Sequence, residues 1–311
     1  MSKLIETIPT EVAEAVAESL SLFRQASFRN RNDRHEASQP LPSLLELCEK
    51  YIAADRQQLH EPVRLIHHFA CTGGTLITKC LACSPNIQVL SEVDPLSTKA
   101  SAANLFYPTD LIQLLENSNR GVSMDDKLAL FLASFATLYD SSVRKGLRLL
   151  IRDHTHSHFC VGNQLLERPT LGNIFSGRFP TLSAVTVRHP LDSWLSLKNN
   201  EWIEFNPVTL EEYAKRYLAF LEAYAGTPVF KYEDFVESPD ETLTDLCGEL
   251  DLPYPPDHQE LFGTHRFSGD SGRRGSVISP RQRRSLDDNA LETAKASKSF
   301  VSLCEKLEYD L

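Results

Sequence analysis

The chain has 311 residues, of which 41% are hydrophobic and 24% charged, so it is long enough to bury the core of a large globular domain. Its formal net charge of −10 argues against broad binding to nucleic acid or to an anionic membrane surface. The longest apolar run, about 128–139, is too short to span a bilayer.

The N-terminal sequence and the cysteines predict a cytoplasmic protein. The first 23 residues carry four glutamates and lack the cationic start and apolar run of a signal peptide. The seven cysteines form no disulfide framework, and an odd number suits reduced thiols.

Residues 1–61 are predicted to form a helical extension and a linker. An apolar stripe at helical spacing predicts a first helix through Val12, Val16, Leu20 and Phe23. A polar, arginine-rich stretch follows and ends in Pro-Leu-Pro, and a second helix is predicted from Ser43 to about residue 58.

Residues 62–311 are predicted to form one α/β domain, because short apolar runs alternate with helical patterns. The predicted strands are 62–69, 87–90, 147–152, 182–187 and 229–232. The predicted helices are 75–83, 110–117, 124–142, 192–200, 210–225, 240–250 and 291–307. This alternation predicts a P-loop-like, doubly wound parallel sheet with right-handed crossovers and helices on its faces.

The turn after the first predicted strand is a candidate anion-binding loop, Cys71-Thr72-Gly73-Gly74-Thr75. Two glycines let backbone N–H groups approach an anion, and the following helix adds its positive N-terminal end. Two threonine hydroxyls offer further donors. The same residues also suit a plain tight turn between strand and helix.

The loop lacks the Lys-Ser/Thr pair that closes a nucleoside-triphosphate loop, which argues against a kinase or an ATPase. The dinucleotide fingerprint G-x-G-x-x-G is absent from it as well.

A second candidate anion site combines Arg188, at the end of a predicted strand, with Ser196 on the helix that Pro190 opens. The arginine therefore lies at the carboxyl edge of the sheet, where ligands bind in such folds. A guanidinium and a hydroxyl suit a phosphate monoester, although an ordinary salt-bridged arginine and a surface serine would leave the same pattern.

A third candidate lies in the irregular stretch 263–284, which has six arginines and one acidic residue in an acidic protein. Arg273-Arg274-Gly275 stands in its middle. This stretch is either a solvated basic loop or an arm that closes over a bound phosphate.

Together these pieces resemble the sulfotransferase family that uses 3′-phosphoadenosine 5′-phosphosulfate. The resemblance covers about 62–285, and its four segments occur in the same order as in the family. They are Cys71–Leu76, Arg188–Ser196, Lys231–Phe235 (Lys-Tyr232-Glu-Asp-Phe) and Arg273-Arg274-Gly275. The resemblance implies that 72–76 hold the 5′-phosphosulfate, that Arg188, Ser196 and the two late arginines hold the 3′-phosphate, and that Tyr232 lies near the adenine.

The family places a histidine base just beyond a middle strand, and His154 has that position. A near-neutral imidazole is suited to accepting the proton of a hydroxyl. His156 and His158 compete for the role.

The chain departs from the family at the loop, where a lysine usually precedes the glycine by two residues. Cys71 stands there in this chain. Either Arg152 or a late arginine supplies the missing charge, or backbone donors are sufficient.

The resemblance implies transfer of a sulfuryl group to a hydroxyl or amine of a small-molecule or glycan acceptor, without a metal. A P-loop-type nucleotide kinase and a non-catalytic nucleotide-binding module remain alternatives. The N-terminal helix either caps the acceptor pocket or mediates a homodimer, and the sequence does not separate the two.

Two further patterns are interpreted as structural rather than functional. Cys80 and Cys83 have C-x-x-C spacing, and His67, His68 and Cys71 are close in sequence, which would suit a zinc or redox site. No second pair exists at the usual spacing, so the two cysteines are interpreted as small apolar residues of a helix. Glu92-Val93-Asp94-Pro95 either borders the acceptor pocket or forms a solvated turn, and the solvated turn is favoured.

Overall fold

The structure is a computed structural model that describes residue 43 and residues 61–97, 110–267, 277–280 and 288–311. Both helices predicted within 1–61 lie outside the described residues, so the helical extension and the division at residue 61 stay predictions.

The strands of the domain are β1 (Val63–His68), β2 (Ile87–Val93), β3 (Arg148–Asp153), β4 (Val161–Gly162), β5 (Thr181–Val187), β6 (Glu204–Phe205) and β7 (Val229–Lys231). Five of them form a central parallel sheet in the order β2-β3-β1-β5-β7, and β4 pairs with β6 in a separate two-stranded sheet. The chain moves to one side of β1 through β2 and β3, and to the other through β5 and β7. The carboxyl end of β1 is therefore a topological switch point, where ligands bind in open α/β sheets.

Helices connect the strands and cover both faces of the sheet. They are α1 (Gly74–Leu81), α2 (Leu111–Glu116), α3 (Met124–Arg144), α4 (His156–Phe159), α5 (Leu171–Phe175), α6 (Pro190–Asn199), α7 (Leu210–Ala223), α8 (Tyr232–Glu237), α9 (Pro239–Glu249), α10 (His258–Leu261), α11 (Asp288–Ala296) and α12 (Lys298–Leu307), with a 3₁₀ turn at Phe262–Thr264. None of the helices within the described ranges has the length and apolarity needed to cross a membrane.

The alternation of side chains along the strands confirms the predicted doubly wound fold. On β1, Leu65 packs with residues of α3 and α5, whereas its neighbour Ile66 packs with α1, α8 and α9. On β5, the neighbours Ala184 and Val185 also pack on opposite faces of the sheet. Ala184 packs with the same cluster as Ile66, and Val185 packs with α6, α7 and α12. Since successive strand residues face opposite sides, the sheet is buried between two helical layers.

Arg64 fastens the start of β1 to the end of α9. Its side chain is fully buried. Its guanidinium donates to the carbonyl oxygens of Leu250 at 2.8 Å, Asp251 at 3.0 Å and Pro62 at 2.8 Å, and pairs with Glu61 at 2.5 Å. Burial of this charge is tolerated because its donors have acceptors.

The final helix differs from its prediction as a single element, because Ser297 interrupts it between α11 and α12. The Ser297 hydroxyl accepts a hydrogen bond from the Phe300 N–H at 3.3 Å and donates to Glu211 of α7 at 2.8 Å. A serine that caps the next helix in this way favours two helices over one.

Candidate active site

The loop after β1 turns sharply before α1 begins. Cys71 has a φ of 63° and Gly73 a φ of 87°, both in the left-handed region. Thr72 is fully buried, and its hydroxyl donates to the Phe69 carbonyl oxygen at 2.8 Å. The hydroxyl hydrogen of Thr72 is therefore used inside the loop, whereas the sequence predicts it as a donor to an anion.

Both glycines are required by close neighbours. A Cβ on Gly73 would lie 2.2 Å from the Tyr232 ring, and one on Gly74 would lie 2.5 Å from the His68 ring. No residue that the structure describes accepts a hydrogen bond from the N–H of Gly73 or of Gly74. The loop therefore has the donors and the position at a helix N-terminus that an anion needs.

Arg188 lies beside the loop, as its position at the end of β5 predicts. Its guanidinium stacks on the Tyr232 ring, 5.0 Å from the centroid, and its Nη1 donates to the Cys71 carbonyl oxygen at 3.4 Å. Its Nε is buried and has no hydrogen-bond partner among the described residues. A buried, unsatisfied guanidinium nitrogen next to an anion loop fits a ligand phosphate.

Ser196 reaches the same loop from α6. Its hydroxyl and the Asn200 amide hydrogen-bond to the Cys71 thiol, the amide at 4.0 Å. Burial raises the pKa of Cys71 despite these hydrogen bonds and the nearby Arg188 charge. The thiol is thus a neutral group at the position where the family has a lysine.

Arg152 brings a positive charge to the loop from β3. It is 1% exposed, and it donates to the Ser91 hydroxyl at 3.0 Å, to the Thr75 hydroxyl and to the Glu92 carboxylate. Thr75 lies in the first turn of α1, so this contact places the Arg152 guanidinium at the loop.

Glu92 occupies an irregular position at the end of β2. The register with β3 shifts between Ser91 and Val93, and Glu92 has a φ of 62°. Burial favours its neutral form, but a hydrogen bond from His154 and the positive charges of Arg152 and of His68, which is protonated at such low pH, outweigh burial and lower the pKa of Glu92 to about 2. The bulge therefore presents an ionised carboxylate to His154 and Arg152.

His154 lies one residue beyond β3, and its Nε2 is 3.0 Å from a Glu92 carboxylate oxygen. Its side chain is 22% exposed, so a ligand can reach it. Its backbone N–H donates to the Val93 carbonyl oxygen at 3.0 Å, which ties it to the end of β2.

The two competing histidines have different surroundings. The Nε2 of His158 hydrogen-bonds to the Leu166 carbonyl oxygen at 3.1 Å, and burial lowers the pKa of His158. His156 opens α4, with its ring centroid 6.2 Å from that of His154. His154 is held by the Glu92 carboxylate at the sheet edge, whereas the contact of the His158 ring is a backbone carbonyl.

A buried hydrogen-bond network holds the end of β3 in place. One Asp153 carboxylate oxygen accepts hydrogen bonds from the His67 Nδ1 and the Tyr224 hydroxyl, both at 2.7 Å. The His67 and Tyr224 rings stack 4.1 Å apart. Because Asp153 directly precedes His154, this network fixes the backbone that carries the candidate base.

The interpretation of 92–95 as a solvated turn is wrong. Besides the contacts of Glu92, Asp94 is largely buried and accepts two hydrogen bonds from Arg168, at 2.7 and 2.6 Å. Its charge partner lies more than 70 residues away in the sequence, which is why local pattern alone misassigns it.

Two further predictions concern a basic arm and a cysteine pair. Arg273, Arg274 and Gly275 lie outside the described residues, so their role stays a prediction. Cys80 is buried on α1 against the sheet, in agreement with its predicted apolar role. Burial raises the pKa of Cys83 to about 11.

His68 belongs to this cluster, although the sequence suggests it only as part of a zinc or redox site near the C-x-x-C pair, an interpretation that is not favoured. Its buried Nδ1 has no hydrogen-bond partner within the described part of the chain. Burial and the adjacent Arg152 charge lower the pKa of His68 to about 3, so its ring is neutral. Its place as the last residue of β1 is the sequence signal that could have placed it in this cluster.

No protein family model and no curated protein matches the sequence. Among solved structures, the crystal structure of a sulfotransferase from Alicyclobacillus acidocaldarius is similar, at 14% identity and a TM-score of 0.40. The match covers 80% of this chain and 97% of that chain. Similarity at this level does not bear on the activity of this chain.

Proposed function

We propose that the chain is a sulfotransferase that moves a sulfuryl group from 3′-phosphoadenosine 5′-phosphosulfate to a hydroxyl or amine acceptor. One observation carries the proposal: two candidate anion-binding features and a histidine–carboxylate pair meet at the carboxyl edge of one parallel sheet. The candidate anion-binding features are the glycine loop and the Arg188–Ser196 pair on its β5 side. Arg152, Glu92 and His154 lie on its β3 side.

The donor has two separate anionic groups, and the residues present suit both. The N–H groups of Gly73 and Gly74 would hold the 5′-phosphosulfate, and Arg188 with Ser196 would hold the 3′-phosphate. Tyr232, which already stacks on Arg188, would contact the adenosine. Arg152 would oppose the negative charge that develops on the leaving nucleotide.

Glu92 determines which nitrogen of His154 acts as the base. Its ionised carboxylate can only accept, so the Nε2 of His154 carries the hydrogen and the Nδ1 has the lone pair. In the transfer, the acceptor oxygen or nitrogen bonds to sulfur and its proton passes to Nδ1. The bond from sulfur to the bridging oxygen breaks, which leaves adenosine 3′,5′-bisphosphate.

A ligand screen by thermal unfolding tests the donor site. Adenosine 3′,5′-bisphosphate at 100 times its Kd should stabilise the protein by about 2.7 kcal/mol, whereas ATP and NAD should have little effect. The substitution Arg188→Ala should abolish the shift. Arg178→Ala, at an exposed residue three positions before β5, is the matched control and should retain it.

The alternatives predict different results in the same assays. Stabilisation by ATP with magnesium-dependent turnover would favour a nucleotide kinase. Binding of the bisphosphate without transfer to any of a panel of phenols, alcohols, amines and glycans would favour the non-catalytic module. No stabilisation by the bisphosphate would refute the proposed donor site.

A further inference from the structure

The last residues of the chain contact two corners of the domain. The Tyr309 hydroxyl donates to Glu233 at 2.6 Å, and the Tyr309 ring meets the His189 ring edge-on with 5.1 Å between centroids. The Lys231 ammonium lies 4.7 Å from the Tyr309 ring centroid and donates to the Glu308 carbonyl oxygen at 3.3 Å. Tyr309 thus lies between the β5–α6 corner and the β7–α8 corner.

Hydrogen bonds fix the orientation of His189 in this contact. Its Nδ1 accepts from the Leu191 N–H at 3.3 Å, so its Nε2 carries the hydrogen and donates to the Asp310 carbonyl oxygen at 2.9 Å. The backbone N–H of His189 donates to the other oxygen of Glu233 at 3.1 Å. Glu233 therefore joins His189 and Tyr309 through one carboxylate.

The same two corners carry the stacked pair of the candidate donor site. Arg188 immediately precedes His189, and Tyr232 immediately precedes Glu233. The pair is 5.0 Å apart and lies against the glycine loop. Burial and Glu233 raise the pKa of Tyr309, so its hydroxyl stays protonated and remains a donor over the whole working range of pH.

We propose that Glu308–Asp310 form a C-terminal clamp that sets the relative position of Arg188 and Tyr232, with Tyr309 as its positioning residue. The part of this inference that concerns the nucleotide rests on the proposed function. A clamp that favours the binding geometry must itself be stabilised by the nucleotide, because coupling between two sites is reciprocal.

The substitution Tyr309→Phe tests the clamp, since it removes the hydrogen bond to Glu233 and keeps the ring. Calorimetry should show affinity for adenosine 3′,5′-bisphosphate reduced by about tenfold, within the usual range of coupling between sites. The value of kcat at saturating donor should stay the same, because the residue acts on nucleotide binding alone. Glu308→Gln is the control, because Glu308 contributes its backbone carbonyl to the clamp while its side chain is exposed, and it should leave the affinity unchanged.

Amide hydrogen exchange gives a readout that does not depend on the nucleotide. Exchange at the His189 N–H should be faster in Tyr309→Phe than in Glu308→Gln, because Glu233 loses its anchor. Equal exchange in the two variants would overturn the clamp, even if the nucleotide binds. Faster exchange in a protein that binds no bisphosphate would support the clamp and refute the proposed function. Unchanged affinity with faster exchange would refute the coupling to the nucleotide.

Discussion

The imidazole of His154 has Glu92 on one side and solvent on the other, so its loss should affect proton transfer rather than folding. His154→Ala should reduce turnover by roughly 10²–10⁴-fold and leave affinity for adenosine 3′,5′-bisphosphate unchanged. A coupled transfer assay and calorimetry measure the two quantities. His156→Ala is the comparison, because that side chain is the neighbouring alternative. Loss of turnover in His156→Ala with normal turnover in His154→Ala would reverse the assignment.

Gly73 combines a left-handed backbone with a close aromatic neighbour, and the two effects can be separated. Gly73→Ala should destabilise the protein by about 1–3 kcal/mol and weaken nucleotide binding, because a Cβ would meet the Tyr232 ring at 2.2 Å. Gly226 has almost the same φ, +83° against +87°, and a Cβ there would meet nothing within 4 Å.

Urea unfolding of Gly226→Ala therefore measures the backbone strain alone. Gly73→Ala should lose more stability than this control, and it alone should lose affinity for adenosine 3′,5′-bisphosphate. Equal losses in both variants would show that Tyr232 moves aside without cost.

At the scale of elements, Arg64 joins β1 to the end of α9 through a buried hydrogen bond to the carbonyl oxygen of Leu250 and a partly buried one to that of Asp251. Arg64→Met should lower the free energy of unfolding by about 2–6 kcal/mol, because these two carbonyls lose their donor at a cost of about 1–3 kcal/mol each. Arg144→Met, at the exposed end of α3, should change it by no more than about 0.5 kcal/mol. Urea unfolding at constant pH measures the free energy of unfolding of both variants. A similarly small loss in Arg64→Met and Arg144→Met would mean that water replaces the guanidinium of Arg64.

The elements that the sequence predicts well are those that local pattern determines. Apolar strands between helical patterns give the sheet, and a strand-end position places Arg188 and His154 at its carboxyl edge. Contacts between distant elements are not encoded locally. Three features depend on a partner far away in the chain: the bulge at Glu92, the ion pair of Asp94 with Arg168, and the break of the last predicted helix at Ser297.

At the scale of the whole molecule, His68 and Glu92 make stability depend on pH in two different windows. The pKa of His68 is about 3 in the folded protein against an ordinary value of 6.5, so the unfolded chain takes up this proton first as the pH falls below 6.5. The pKa of Glu92 is about 2 against 4.5, so its contribution is complete above 4.5 and is lost as the pH falls toward 2. Both residues therefore favour unfolding in acid.

Because the windows differ, two substitutions can assign them. Between pH 6.5 and 4.5, His68→Asn should reduce the slope of unfolding free energy against pH by up to about 1.4 kcal/mol per pH unit, the value for one proton. Glu92→Gln should leave that slope in place and reduce the slope below pH 4.5, where His68 continues to contribute down to about pH 3. Burial lowers the pKa of His158 and His265 as well, so some slope should remain in both variants. Urea unfolding at half-unit pH intervals measures the free energy of unfolding as a function of pH. If His68→Asn leaves the slope unchanged, His68 binds its proton equally well in the folded and the unfolded protein, and it is not the source of the slope.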